Sequence, residues 1–153
     1  MAEAANKATR RRLANLLYVQ AAVERLPEEL AGLADRMTVN FPWGSLLRAV
    51  AAPHTARLTS IAALGRPGAA FTLLANMATF DDAAYCAKLG LPCPPVLADE
   101  ARTRAAYAKA GLEVTSFESD AQALPYRTTW GQRLTKGTQR RVLHLEAEVK
   151  ERT

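Results

Sequence analysis

The feature that most limits what this chain can fold into is an alternation of short, β-prone apolar runs with stretches of helical spacing. Leu16-Leu17-Tyr18-Val19 reads as a buried strand, and Met37 to Phe41 as a second that Pro42 stops. Ala70 to Ala75 reads as a third and Leu112 to Phe117 as a fourth. Arg141 to Val149 alternates apolar and polar residues as a half-buried final strand does. Helices are expected over residues 2–13, 28–36, 45–51, 54–64, 81–90 and 98–110, with a helical turn at 128–135. Asp81 and Asp99 stand where N-caps belong, and Gly90 and Gly111 where helices stop. Gly65-Arg66-Pro67-Gly68 reads as the turn that ends the 54–64 helix. Strands separated by helices require crossover connections, so the expectation is an α/β sheet. The last two strands lie close enough in sequence to pair antiparallel at a sheet edge.

The chain has 153 residues, 49% of them hydrophobic and 23% charged, which suits one domain with a real core and argues against disorder. It shows no internal repeat, low-complexity tract or domain boundary. The formal charge of +5 favours an anionic partner such as nucleic acid. Two cysteines, Cys86 and Cys93, and two distant histidines, His54 and His144, form no metal-ligand pattern. With no secretory signal, the cysteines read as reduced thiols. No apolar run has the length of a membrane span. These observations describe a cytoplasmic protein with no metal and no membrane partner. A doubly wound cofactor site usually opens with a strand, a glycine-rich turn and a helix. The Gly65–Gly68 turn follows a helix and precedes a strand, the reverse of that order.

Three stretches carry residues suited to chemistry. In Asn40-Phe41-Pro42-Trp43-Gly44-Ser45-Leu46-Leu47-Arg48, a strand runs into a proline turn and puts Trp43 at the carboxyl end of the sheet, where open α/β sheets bind ligands. Its indole can stack on a flat base, and the Asn40 amide can read an amino group on one. The alternative is a tryptophan that plugs the end of the core. In Thr128-Thr129-Trp130-Gly131-Gln132-Arg133-Leu134, a helical turn sets Trp130 and Arg133 on one face. Five basic residues (Arg127, Arg133, Lys136, Arg140, Arg141) and no acid lie between Asp120 and Glu146. Tryptophan among cations fits a surface that stacks a base and grips phosphate; a solvated basic face is the plainer reading. In Ala21-Ala22-Val23-Glu24-Arg25-Leu26-Pro27, small residues after a strand allow a flat adenine near the backbone, with Glu24 as an acceptor. Glu24 also fits an ordinary surface residue or helix cap.

Taken in this order, these stretches resemble the kanamycin–apramycin resistance family of 16S ribosomal RNA methyltransferases, which modify N1 of the decoding-site adenine 1408. The resemblance runs through Asn15-Leu16-Leu17-Tyr18 and Ala21 to Pro27, then Phe41 to Arg48, then Arg66-Pro67-Gly68, then Trp130 with Arg133 and Leu134. The Pro-Trp-Gly-Ser-Leu-Leu-Arg run is the most specific of them. It implies a partial Rossmann-like class I methyltransferase sheet with S-adenosylmethionine as cofactor and 16S rRNA of the 30S subunit as partner, the chain acting as a monomer if complete. It further implies that Trp43 and Trp130 clamp the flipped adenine. Ala22, Val23 and Glu24 would form part of the cofactor-adenine pocket, and Ser45 and Thr128 would border cofactor and base. Arg133 would lie in the RNA-binding region, with Lys136, Arg140 and Arg141 as further cations toward phosphate.

The family begins with a strand carrying an Asp-x-Gly-x-Gly loop and a second strand ending in an acid for the ribose hydroxyls. The chain has neither, and Met1 aligns inside the helix that follows. Residues 1–153 are therefore expected to form a single methyltransferase domain lacking its first cofactor-binding strands, roughly a quarter to a third of a family member. A start codon further upstream, a shortened gene and a partner chain that supplies the rest are the three readings of that gap. The alternative function is a non-catalytic remnant that at most binds RNA. Within the enzyme class, Asn40-Phe41-Pro42-Trp43 also suits methylation of an exocyclic amino group.

Overall fold

The computed structural model describes residues 15–52, 56–121 and 141–151. Four strands form one mixed sheet: β1 (Ala34–Asn40), β2 (Gly65–Asn76), β3 (Leu112–Glu118) and β4 (Val142–Val149). Their spatial order is β1-β2-β4-β3. β1 and β2 are parallel and are joined by α1 (Gly44–Ala51) and α2 (Ala56–Ala62). After β2 come α3 (Ala83–Leu89) and α4 (Glu100–Lys109), which lead to β3 at the far edge. β4 then enters between β2 and β3 and runs antiparallel to both. The antiparallel pair expected at the sheet edge is present, and β4 rather than β3 is its inner member.

The helices form where the sequence places caps and apolar spacing. α4 starts at Asp99, whose carboxylate accepts from the Arg102 N–H at 2.9 Å. Thr103 and Tyr107, four residues apart, share its buried face. Tyr107 packs edge-to-face on Phe71 of β2 at 6.2 Å, and its hydroxyl donates to the Val50 carbonyl at 3.2 Å. Burial pushes that phenol up from its ordinary value of 10.0. This one side chain thus ties α4, α1 and the sheet together. The main core gathers Phe71, Leu73 and Ala75 of β2 with Leu143, Leu145 and Ala147 of β4 and the inner faces of α1, α2 and α4. On β1 and β2 the intervening residues, among them Arg36, Thr38 and Thr72, take the opposite face of the sheet.

Four expectations are corrected. Residues 16–19 are not a strand: Leu16, Leu17, Tyr18 and Val19 are exposed, Leu17 at 79%. Among the described residues β1 ends the sheet and nothing pairs beyond it. Added there, the segment would have a ladder on its β1 side alone and would form an exposed apolar edge. Residues 28–36 are not a helix. A single 3-10 turn spans Glu28–Leu30, and then the Gly32 and Ala34 N–H groups donate to the carbonyls of Ala63 and Leu64, both at 2.9 Å. Those bonds draw the segment against the end of α2 and start β1 at Ala34. The Gly65–Gly68 segment is the start of β2 rather than a plain turn. Gly65 pairs with Ala34, and the residues between Gly65 and Ala70 bulge out of register. A Cβ on Gly65 would lie 2.7 Å from both Met37 and Val149, so any larger residue there requires those side chains to shift. Asp82, not Asp81, caps α3: its carboxylate accepts from the Tyr85 N–H at 2.9 Å, because Met77–Asp81 is taken up by a 3-10 turn.

Candidate active site

β1 delivers its carboxyl end into the turn at Asn40-Phe41-Pro42-Trp43. Phe41 adopts a positive φ of 47°, which on a non-glycine residue costs on the order of 1–3 kcal/mol. Two interactions hold it there. Its ring is buried against Leu74 and Val142, and its N–H donates to the Leu74 carbonyl at 2.7 Å. The reversal sets Trp43 as the extended N-cap residue of α1. The indole is 61% exposed, so Trp43 is not a plug for the end of the core. Tyr85 of α3 meets it edge-to-face at 5.7 Å between centroids and 61° between planes.

Beside this turn lies a cleft of about 440 Å³. Met37, Thr38 and Val39, successive residues of β1, all line it. Side chains on a strand alternate between faces, so a cleft touching three in a row runs along the strand's outer edge. Ala21, Ala22 and Val23 form one wall and Ser45 and Leu46 of α1 another. A tight turn shapes the first wall, with the Arg25 N–H donating to the Ala22 carbonyl at 2.9 Å and Val23 buried. The structure therefore brings together Ala22, Val23 and Ser45, far apart in sequence. Glu24 does not line the cleft. Its carboxylate accepts from the Arg57 Nε at 3.0 Å and fastens the turn to α2.

The cleft's walls are mainly apolar, with the hydroxyl-bearing Thr38 and Ser45 among them and no charged side chain. That chemistry suits a flat base with apolar faces. The described lining holds no acid for a ribose and no cation for a carboxylate. The residues present thus fit the adenine half of S-adenosylmethionine.

Arg141 stands just before β4, at the same end of the sheet as Trp43. Its carbonyl accepts from the Met77 N–H at 2.9 Å, and its guanidinium engages both oxygens of Asp81, one at 2.8 Å. Thr128, Trp130, Arg133, Lys136 and Arg140 lie outside the described residues. The thiol of Cys86 is buried; burial first, then the proximity of Cys93 and Asp82, pushes it up, so it is no ready nucleophile. His144 packs within β4, 3.8 Å from Glu118 and 3.5 Å from Glu146. Among the described residues no group of three or more His, Cys, Asp or Glu side chains could hold a metal ion, and no helix is long and apolar enough to cross a membrane.

Tyr85 escaped the sequence reading, which placed it inside an expected helix and gave it no role. Its one signal was an aromatic among the small residues of Ala83-Ala84-Tyr85-Cys86-Ala87. Only the docking of α3 beside α1 brings it to Trp43.

Known proteins resemble this chain in sequence and fold. The chain is 30% identical over 144 residues to a 16S rRNA (adenine(1408)-N(1))-methyltransferase of Escherichia coli, covering 90% of this chain and 64% of that protein. The crystal structure of the aminoglycoside resistance methyltransferase NpmB1 is similar with a TM-score of 0.68 and 38% identity, covering 87% of this chain and 60% of that one. A third similar structure is a tryptophan-to-alanine mutant of the 16S rRNA (adenine(1408)-N(1))-methyltransferase from Catenulisporales acidiphilia, with cosubstrate SAM. It shows a TM-score of 0.63 and 25% identity over 86% of this chain and 60% of that one. The chain thus spans between 60% and 64% of the length of these relatives. The family model NpmA, described as 16S rRNA (adenine(1408)-N(1))-methyltransferase, matches residues 1–149. With that match running from end to end of the sheet, and the tryptophan turn and small-residue cleft side by side at its edge, the chain belongs to the NpmA family of 16S rRNA (adenine(1408)-N(1))-methyltransferases.

Proposed function

We propose that this chain carries the target-base side of an S-adenosylmethionine-dependent methyltransferase acting on N1 of adenine 1408 in 16S rRNA of the 30S subunit, and so confers aminoglycoside resistance. One juxtaposition carries the reading. An exposed indole, Trp43, stands two residues before Ser45, which lines the apolar cleft formed with Ala22 and Val23. A base-stacking platform and a base-sized cleft therefore adjoin at the end of β1. The names of the similar proteins support the same substrate and cofactor.

In this reading residues 1–153 belong to one methyltransferase domain, and the complete protein is a cytoplasmic monomer. Trp43 stacks on the flipped adenine from one side, and Trp130 supplies the second indole. Stacking on one aromatic is worth about 1–3 kcal/mol, which offsets the few kcal/mol of unstacking. Ala22, Val23 and Ser45 receive the cofactor's adenine, Thr128 borders cofactor and base, and Glu24 acts from outside the cleft by anchoring its turn through Arg57. Arg133, Lys136, Arg140 and Arg141 meet phosphates, with Arg141 oriented by Asp81. S-adenosylmethionine, when bound, supplies a methyl group already activated on sulfur. Adenine N1 presents its own lone pair, so the protein need move no proton and its task is alignment. A buried, protonated Cys86 is compatible with that task.

The test is methylation of 30S subunits by this chain with labelled S-adenosylmethionine, the modified atom being mapped on the RNA. Label at N1 of adenine 1408, with growth on kanamycin and apramycin, is the expected result. Label on an exocyclic amino group would overturn the assignment of the atom. No label, together with no cofactor binding by calorimetry, would leave the chain as a non-catalytic remnant.

A further inference from the structure

Trp43 is 61% exposed and has little burial to orient it, yet a base-stacking platform must be ordered before the base arrives. The turn that carries it is fixed on the β1 side by the Phe41 contacts. On the other side the indole meets the Tyr85 ring. Tyr85 touches the platform twice. Its ring meets the indole edge-to-face at 5.7 Å, and its hydroxyl oxygen accepts from the Gly44 N–H at 3.3 Å. That N–H belongs to the first residue of α1, where helix geometry offers no backbone acceptor and where Trp43, as N-cap, makes no side-chain cap. Tyr85 therefore caps α1 from another helix. Tyr85 is itself anchored: its N–H donates to Asp82 at 2.9 Å, and the neighbouring Cys86 is buried in the core.

From this geometry we propose that Tyr85 is a positioning residue for the target base: it sets the orientation of the Trp43 indole and joins α3 to the base-binding turn. The inference rests on the base-stacking role of Trp43. Tyr85 acts through Trp43 and lines no part of the cleft. Its loss therefore weakens the hold on the target base and leaves cofactor binding unchanged.

The experiment uses the full chain with Trp130→Phe as background, so that Trp43 is the sole fluorophore of its kind. Anisotropy decay of Trp43 is compared for Tyr85, Tyr85→Phe, Tyr85→Leu and Tyr85→Ala, with circular dichroism as the check on folding. Tyr85→Ala and Tyr85→Leu are expected to increase the amplitude of fast indole motion at least about twofold, and Tyr85→Phe, which keeps the ring, to fall between them and the parent. In the Trp130-containing chain, Tyr85→Leu is expected to lower methylation of 30S subunits about tenfold with the S-adenosylmethionine KM unchanged, and Tyr85→Phe to restore most of it. Unchanged anisotropy decay in the folded Leu variant overturns the proposal, and so does a loss carried wholly by the cofactor KM. Tyr85→Phe is nearly isosteric and decides the matter if the smaller side chains unfold the chain. If Trp43→Ala keeps full methylation while Tyr85→Leu still mobilises the indole, the stacking role fails and the ordering of Trp43 by Tyr85 survives.

Discussion

At the scale of single residues, backbone conformation does work that burial does elsewhere. Phe41 is the one non-glycine residue with positive φ among those described, and it sits immediately before the turn that presents Trp43. The sequence singles out Trp43 as a candidate site residue because a strand runs into a proline turn just before it. Its exposure was not legible, since the same residues fit a core plug. Trp43→Ala is expected to leave the melting temperature nearly unchanged, as surface substitutions do. Methylation of 30S subunits should fall by at least tenfold, in line with the loss of one stacking contact. Near-normal turnover would remove Trp43 from the site. Gly65 presents the opposite case, a residue whose role is packing. The Gly65→Ala methyl would meet Met37 and Val149 at 2.7 Å and Ala69 at 3.0 Å. Overpacking of this kind costs about 1–3 kcal/mol. Urea unfolding that shows no shift in midpoint would mean that the neighbouring side chains give way freely.

At the scale of elements, the structure follows local chemistry wherever a segment carries its own stop and start signals. α4 was readable because Asp99 caps it and Gly111 follows it. β4 was readable because Val142 to Val149 largely alternates buried with more exposed residues. Asp99→Ala removes the bond to the Arg102 N–H and is expected to cost about 1 kcal/mol, seen as a lower urea midpoint with an unchanged slope. An unaltered midpoint would show that the cap is dispensable. The segments misread from sequence are those whose partners lie elsewhere in the chain. Residues 28–36 have helical composition, yet the carbonyls of Ala63 and Leu64 claim their N–H groups. Residues 16–19 have the composition of a buried strand, yet among the described residues no strand stands beyond β1 to bury them.

For the molecule as a whole, Tyr107 joins three elements, and its titration reports on the entire fold. Burial holds the phenol protonated in the folded protein above its ordinary value of 10.0. The unfolded chain releases that proton first, so the contribution of Tyr107 is full below pH 10.0 and is lost as pH rises above it. Tyr107→Phe leaves the Val50 carbonyl without its side-chain donor and is expected to cost about 1 kcal/mol at neutral pH. Its melting temperature should also decline less steeply than the parent's between about pH 9 and about pH 12. Parallel declines for the two proteins would show that another group governs the alkaline limb.

The linear order of residues determined the alternation of strands and helices, the antiparallel final pair, the cap of α4 and the tryptophan turn, since each depends on neighbours within a few positions. The ordered motifs, read together, also pointed to the methyltransferase family. Only the tertiary structure decided that β4 enters between β2 and β3, and that Ala22, Val23 and Ser45 share one cleft while Glu24 turns away to Arg57. It alone decided that Tyr85 stands against Trp43. The reason is the range of the forces. Capping and periodicity act over one or two turns of chain, whereas strand insertion and side-chain contact depend on which distant surfaces bury each other, and no local signal records that choice.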